Sequence, residues 1–134
     1  MKILLDTHIL LWALSDDERL SEKARKAVEN EDNEIYYSII SLWEVELKRI
    51  AHPDAMRITA KELADYCEQS GFKRIPIKDK HIYALSRLTR AENAPSHKDP
   101  FDRLLICQAS EENMIFLTHG SLLGWYEDPC ILYV

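Results

Sequence analysis

The chain has 134 residues, 46% of them apolar and 30% charged, with a formal net charge of −6. That length and apolar share predict one domain over residues 1–134 with a real core, and exclude a largely disordered chain or a repeat array. The acidic balance gives no general sign of a nucleic-acid binder. Three scattered cysteines (Cys67, Cys107 and Cys130) without CxxC spacing exclude a disulfide framework and a zinc site.

Lys2–Leu5 has the pattern of a short strand, and Thr7–Leu14 that of an apolar helix. The apolar run from Met1 is broken by Asp6 and His8 and lacks a cleavage site, so it is neither a signal peptide nor long enough to span a bilayer. A charged amphipathic helix is expected from Leu20-Ser21 to about Glu31, then a strand over Glu34–Tyr37 rich in β-formers. Helices follow over Ser38–Ile50 and Met56–Ser70, the second closed by Gly71. Arg74–Ile77 reads as a strand, Lys78–Thr89 as a helix and Ala91–Lys98 as a polar loop. Pro100–Asn113 reads as a helix, with Met114–Leu117 and Cys130–Val134 as the last strands. The cysteines are expected as buried apolar packing, in a cytoplasmic protein.

Strands alternating with helices predict an α/β fold with a mostly parallel sheet covered on both faces. Ligands of such sheets bind beyond the carboxyl ends of the strands. Acids stand at those places. Asp6 directly follows the first strand, where it serves either as a helix cap or as a ligand. Glu44 lies shortly after the second strand. With Ser41 as N-cap it completes a capping box; with Ser38 as N-cap it falls in the second turn and loses that role. In Asp99-Pro100-Phe101-Asp102, Asp99 suits an N-cap and Pro100 the first helical position; Asp102, near the positive end of the helix dipole, is less well explained, and Arg103 is a candidate partner of either acid.

Three carboxylates gathered at one edge repel one another unless a cation neutralises them. Mg²⁺ or Mn²⁺, which prefer oxygen ligands, fit that need, and such a site suits phosphodiester hydrolysis. From Gly71 to Arg103 eight basic residues stand against four acids, which reads either as ordinary solvated helix faces or as a basic flank beside the acidic site. His8 and His97 have no second histidine at ligand spacing, so hydrogen-bonded structural roles are expected for both. Trp12 and Trp43 sit in helical apolar patterns and are expected in the core or against a partner; with Trp125 they are also candidates for stacking on bases.

Four segments, LLDTHILLWAL (Leu4–Leu14), YYSIISLWEVELKR (Tyr36–Arg49), HKDPFDRLLICQA (His97–Ala109) and IFLTHGSLL (Ile115–Leu123), resemble the VapC-type PIN-domain toxins in order and spacing. The resemblance implies a three-layer α/β/α PIN fold and RNA cleavage with Mg²⁺ or Mn²⁺. It also implies a cognate antitoxin and a homodimer. It assigns Asp6, Glu44 and Asp102 as metal-binding catalytic acids, Asp99 as an accessory group and Thr118 as an orienting hydroxyl. One departure stands out: Gly120 occupies the place where the family usually has a fourth acid. A second reading is therefore a PIN module that binds RNA or antitoxin without efficient cleavage. A haloacid-dehalogenase phosphatase would need an Asp where His8 stands.

Overall fold

The computed structural model describes residues 1–134. Its centre is a five-stranded, all-parallel sheet in the order β3-β2-β1-β4-β5: β1 Lys2–Leu5, β2 Glu34–Ser38, β3 Lys73–Ile75, β4 Ile115–Thr118 and β5 Ile131–Tyr133. Alternation along each strand divides the core in two. Ile3, Leu5, Ile35, Tyr37 and Leu117 face one layer, with Ile9 and Leu10 of α1 (Thr7–Ser15), Ala24 of α2 (Glu22–Glu29) and Leu63 and Cys67 of α4 (Ala60–Gln69). Leu4 and Phe116 face the other, with Leu104, Leu105, Ile106 and Ala109 of α6 (Pro100–Glu111). This is the expected three-layer α/β/α architecture.

α3 (Ile39–Ala51) begins at the carboxyl end of β2, and Ser38 is its N-cap: the hydroxyl accepts from the Ile40 amide at 3.0 Å. Glu44 therefore lies in the second turn, and the capping box with Ser41 does not form. A capping box does occur at Thr59 and Glu62, and it starts α4 at Ala60, four residues later than the apolar pattern suggests. Strand β3 stops at Ile75, because Pro76 has no amide to continue a ladder. Gly71, at φ +78°, turns the chain between α4 and β3 as expected.

The helix expected over Lys78–Thr89 is shorter. α5 covers Asp79–Tyr83 and gives way to a 3-10 turn over Ala84–Arg87. His81, wholly buried, accepts from the Lys78 amide through Nδ1 (3.0 Å), and its Nε2 meets Glu112 at 2.9 Å. A second 3-10 turn, Ser121–Trp125, had no counterpart in the sequence pattern. No helix is long and apolar enough to cross a membrane. Cys67 and Cys107 are buried and Cys130 is half-buried; burial raises the Cys67 and Cys107 thiols to about 12 and 11, so they stay protonated.

Candidate active site

Because β1, β2 and β4 are parallel, Asp6, Ser38 and Thr118 all emerge at the same edge of the sheet. α6 runs back towards the start of β4, which puts its first turn, and Asp102, at that edge too.

Asp6 is 4% exposed and occupies the N-cap position of α1, yet its side chain makes no cap hydrogen bond. Its carboxylate instead accepts from the Thr118 hydroxyl at 2.5 Å. The Thr118 oxygen in turn accepts from the Gly120 amide at 3.1 Å, so its one proton is directed at Asp6. Burial raises the Asp6 carboxyl above its ordinary range; the Thr118 bond and the charge of His8 pull it down, and the charge of Glu44 pushes it up again.

Glu44 is 3% exposed. Its Oε1 accepts from Thr7 at 2.7 Å and its Oε2 from Lys48, one helical turn on, at 2.8 Å. Thr7 and Ser41 hydroxyls lie 2.8 Å apart. Since Thr7 spends its proton on Glu44, Ser41 is the donor of that pair.

Asp99 is the N-cap of α6: Oδ1 accepts from the amides of Phe101 (2.9 Å) and Asp102 (3.2 Å). That leaves the Asp102 side chain free of capping and pointed to the acidic edge, where Oδ2 lies 3.2 Å from His97 Nε2. Burial, followed by the charges of Asp6, Asp99 and Glu44, pushes the Asp102 carboxyl up to about 8. The three acids thus feel one another across the edge, although no three His, Cys, Asp or Glu side chains close into a cation cage.

His97 has the hydrogen-bonded role expected of it. Nδ1 meets the Tyr126 hydroxyl at 2.7 Å, and Arg90 lies over the Tyr126 ring at 5.1 Å. Loop residues Thr89 and Ala91 are pinned alongside through Glu127 N–H to Thr89 O and Ala91 N–H to Trp125 O. Thr7, Ser41, Lys48 and Tyr126 were missed by sequence reasoning. Only Lys48, four residues after Glu44 on one helix face, carried a signal that spacing reveals.

The expected basic flank is mostly neutralised. Lys73 pairs with Glu34, Arg74 with Glu68, Lys78 and Lys80 with Glu112, and Arg87 with Glu111. Arg90, Lys98 and Arg103 make no ion pair, and Arg90 and Arg103 act on His97. The pairing of Arg103 with an α6 acid, considered from sequence, does not occur.

Gly120 has φ −70° and ψ 119°, a backbone open to any residue. A Cβ there would come within 3.3 Å of the Leu123 side chain and 3.6 Å of Thr118 Oγ1. An acid at this position would therefore stand directly beside the Asp6–Thr118 pair.

A family model for the PIN domain matches residues 3–123. The chain belongs to the PIN-domain family. Among solved structures, this PIN chain is similar to VapBC2 from Rickettsia felis bound to a DNA fragment from its promoter, with a TM-score of 0.67 and 19% identity over 100% of this chain and 98% of the other. It is also similar to a toxin-antitoxin complex from Klebsiella pneumoniae, with a TM-score of 0.62 and 18% identity over 97% and 95% of the two chains. At these identities the likeness speaks for the PIN fold. Comparison with curated proteins gives no match.

Proposed function

We propose that this PIN domain is a metal-dependent endoribonuclease, the toxin of a bacterial toxin–antitoxin pair working in the cytoplasm. The observation that carries the reading is the trio Asp6, Glu44 and Asp102, brought to one sheet edge with Asp102 pushed up to about 8 by burial and by its acidic neighbours. Fold similarity to VapBC2 and to a second toxin-antitoxin complex supports the toxin assignment.

The donor set fits a hard cation. All three side chains offer oxygen, and their mutual repulsion is offset locally only by Lys48 and His8. Asp6, Glu44 and Asp102 would hold Mg²⁺ or Mn²⁺, which when bound supplies an activated water and stabilises charge on the phosphate. Thr118 fixes one rotamer of Asp6, and Thr7 with Ser41 fixes Glu44. His97 holds Asp102, while Asp99 is an accessory group that fixes the backbone beneath it. Lys48, half-exposed, balances the Glu44 charge and is free to swing away. Arg90, Lys98 and Arg103 supply the unpaired positive charge for the RNA backbone.

Gly120 favours a second reading, a PIN module that binds RNA or antitoxin but cleaves slowly, because one carboxylate is missing beside Asp6. For the protein partner, the support is an exposed apolar ridge on α3 formed by Ile39, Trp43, Leu47 and Ile50, spaced on one helix face. Trp43 is 51% exposed and packs on Phe101, so it is not a core residue. A homodimer is proposed as the resting form, and light scattering tests it.

Cleavage of RNA with Mg²⁺ or Mn²⁺, compared between the chain and Gly120→Asp, separates the two readings. Efficient cleavage by the parent establishes the nuclease; cleavage only by the variant establishes the weakened module. No cleavage by either, with fold intact, rejects the nuclease reading. Expression of Gly120→Asp alone should arrest growth, and unimpaired growth at full soluble expression counts against a toxin.

A further inference from the structure

Next to the acids lies a set of rings that the proposed chemistry does not use. His119 follows Thr118 at the end of β4 and is exposed. Its ring is nearly parallel to that of Tyr133, at 13° and 5.8 Å between centroids, and Tyr133 is 49% exposed. Trp12 meets the edge of His119 at 5.5 Å, and His8 is tilted against Trp12 at 5.9 Å. The guanidinium of Arg19 covers Trp12 at 5.2 Å. Four rings, two from α1, one just past β4 and one from β5, thus touch in sequence, with the His119–Tyr133 pair forming a ledge.

The ledge borders a shallow cavity of about 180 Å³ lined by His8, Trp12, His119 and Gly120. It has room for more than one water, and three of its four lining residues carry aromatic rings. Gly120 connects the cavity to the acids through two hydrogen bonds, Gly120 N–H to Thr118 and Thr118 to Asp6.

We infer that the His119–Tyr133 ledge, with Trp12 behind it, is a stacking subsite for an unpaired base of the RNA strand whose phosphate lies at Asp6. It rests on the ribonuclease reading for the identity of the strand. Unpaired bases stack on aromatic side chains irrespective of sequence, and neighbouring guanidinium groups add to that attraction. Exposed imidazole and phenol rings also offer edge hydrogen bonds that a purely apolar face lacks. The place of the ledge, one residue from the strand end that carries Thr118, makes it a neighbour of the reacting phosphate rather than a remote patch. A single-stranded substrate follows, because a base held in a duplex cannot reach the rings.

The test uses the full chain carrying Asp6→Asn, so that the probe survives, and fluorescence anisotropy with an unstructured, end-labelled ten-nucleotide RNA. A matching strand with abasic sites keeps the phosphates and lacks the rings. The intact strand is expected to bind about ten-fold or more tightly than the abasic one. His119→Ala with Tyr133→Ala should remove that preference by weakening the intact strand alone, and His119→Phe with Tyr133→Phe should restore it. Equal binding of the two strands by the parent, or unchanged affinity in the alanine pair, overturns the subsite. So does an alanine pair that loses binding to a partner protein while holding RNA as before. Both residues are exposed, and a melting curve for each variant separates lost stacking from lost fold. A chain that fails to cleave RNA but retains the intact-strand preference rejects the nuclease reading and leaves the subsite standing.

Discussion

His97 Nε2 lies 3.2 Å from Asp102 Oδ2 while Nδ1 lies 2.7 Å from the Tyr126 hydroxyl, so one imidazole ties a buried phenol to the acidic edge. With Asp102 ionised, Nε2–H donates to the carboxylate and Nδ1 accepts from Tyr126 O–H, which fixes the tautomer.

Removing that phenol proton tests the tie. Tyr126→Phe keeps the ring under Arg90 and leaves Nδ1 without its partner. Mn²⁺ affinity and cleavage rate should both fall about ten-fold, as loss of a group that orients a ligand does, with fold retained. His97→Gln, which keeps a donor near Asp102, should fall less than His97→Leu. Equal losses for Gln and Leu in the Mn²⁺ titration would show that His97 only fills space.

The acid edge should be visible in metal-free stability. The Asp102 carboxyl is held at about 8 in the folded chain against 3.8 in the unfolded one, chiefly by burial. Between those values the folded state carries the extra proton, so stability falls as pH rises from about 4 to about 8 and levels off above. Asp102→Asn should flatten this slope and raise the melting temperature of the metal-free protein at pH 7 by several degrees, on the scale of ~1–2 kcal/mol. Melting curves across that pH range decide it; a parent whose stability climbs steadily from pH 4 to 8 rules the effect out.

Asp6→Asn separates ligand from cap. The Asp6 side chain caps nothing, and an Asn oxygen still accepts from Thr118, so circular dichroism and melting should match or exceed the parent. Cleavage should drop at least ~100-fold, because an amide is a poor ligand for a hard cation and carries no charge. Cleavage equal to the parent's would remove Asp6 from the chemistry.

Much of this was legible in the chain itself. The acids at 6, 44 and 102 stand out because each follows a recognisable strand or cap, and the parallel sheet gives those places a common edge. Of the partners that hold the acids, Thr118 was indicated by the family resemblance, whereas Thr7, Ser41 and Tyr126 were not legible. Thr7 reaches Glu44 across 37 positions and Tyr126 reaches His97 across 29, so only the folded backbone reveals these pairs. The helix expected over Lys78–Thr89 failed for another reason. Leu85 and Leu88 pack against the core but Ile82 is 50% exposed, so apolar spacing over so short a run did not mark one continuous buried helix face. The basic excess over 71–103 misled because composition is blind to pairing, and five of its eight cations meet acids in other elements or across turns.

Gly120→Asp should strengthen metal binding at modest cost. The backbone at φ −70° accepts Asp, and Asp is a good N-cap for the turn that follows. Leu123 must yield a few tenths of an ångström, a penalty of about 1 kcal/mol. Calorimetric titration with Mn²⁺ should show tighter binding or an added site, with cleavage raised in parallel. Identical stoichiometry, affinity and cleavage in the two forms would mark Gly120 as neutral.

The strand order carries a consequence for the chain as it is being made. β1 is the central strand, yet β4, its neighbour on one side, is built from residues 115–118. Asp6 leaves the ribosome first among the three acids and waits for Thr118, its hydrogen-bond partner, through another 112 residues of synthesis. A nascent or truncated product holds the first acid without the strand that orients it, and such long-range parallel pairing is also slow to form. Assembly of the acidic edge is thereby postponed until β4 has been made.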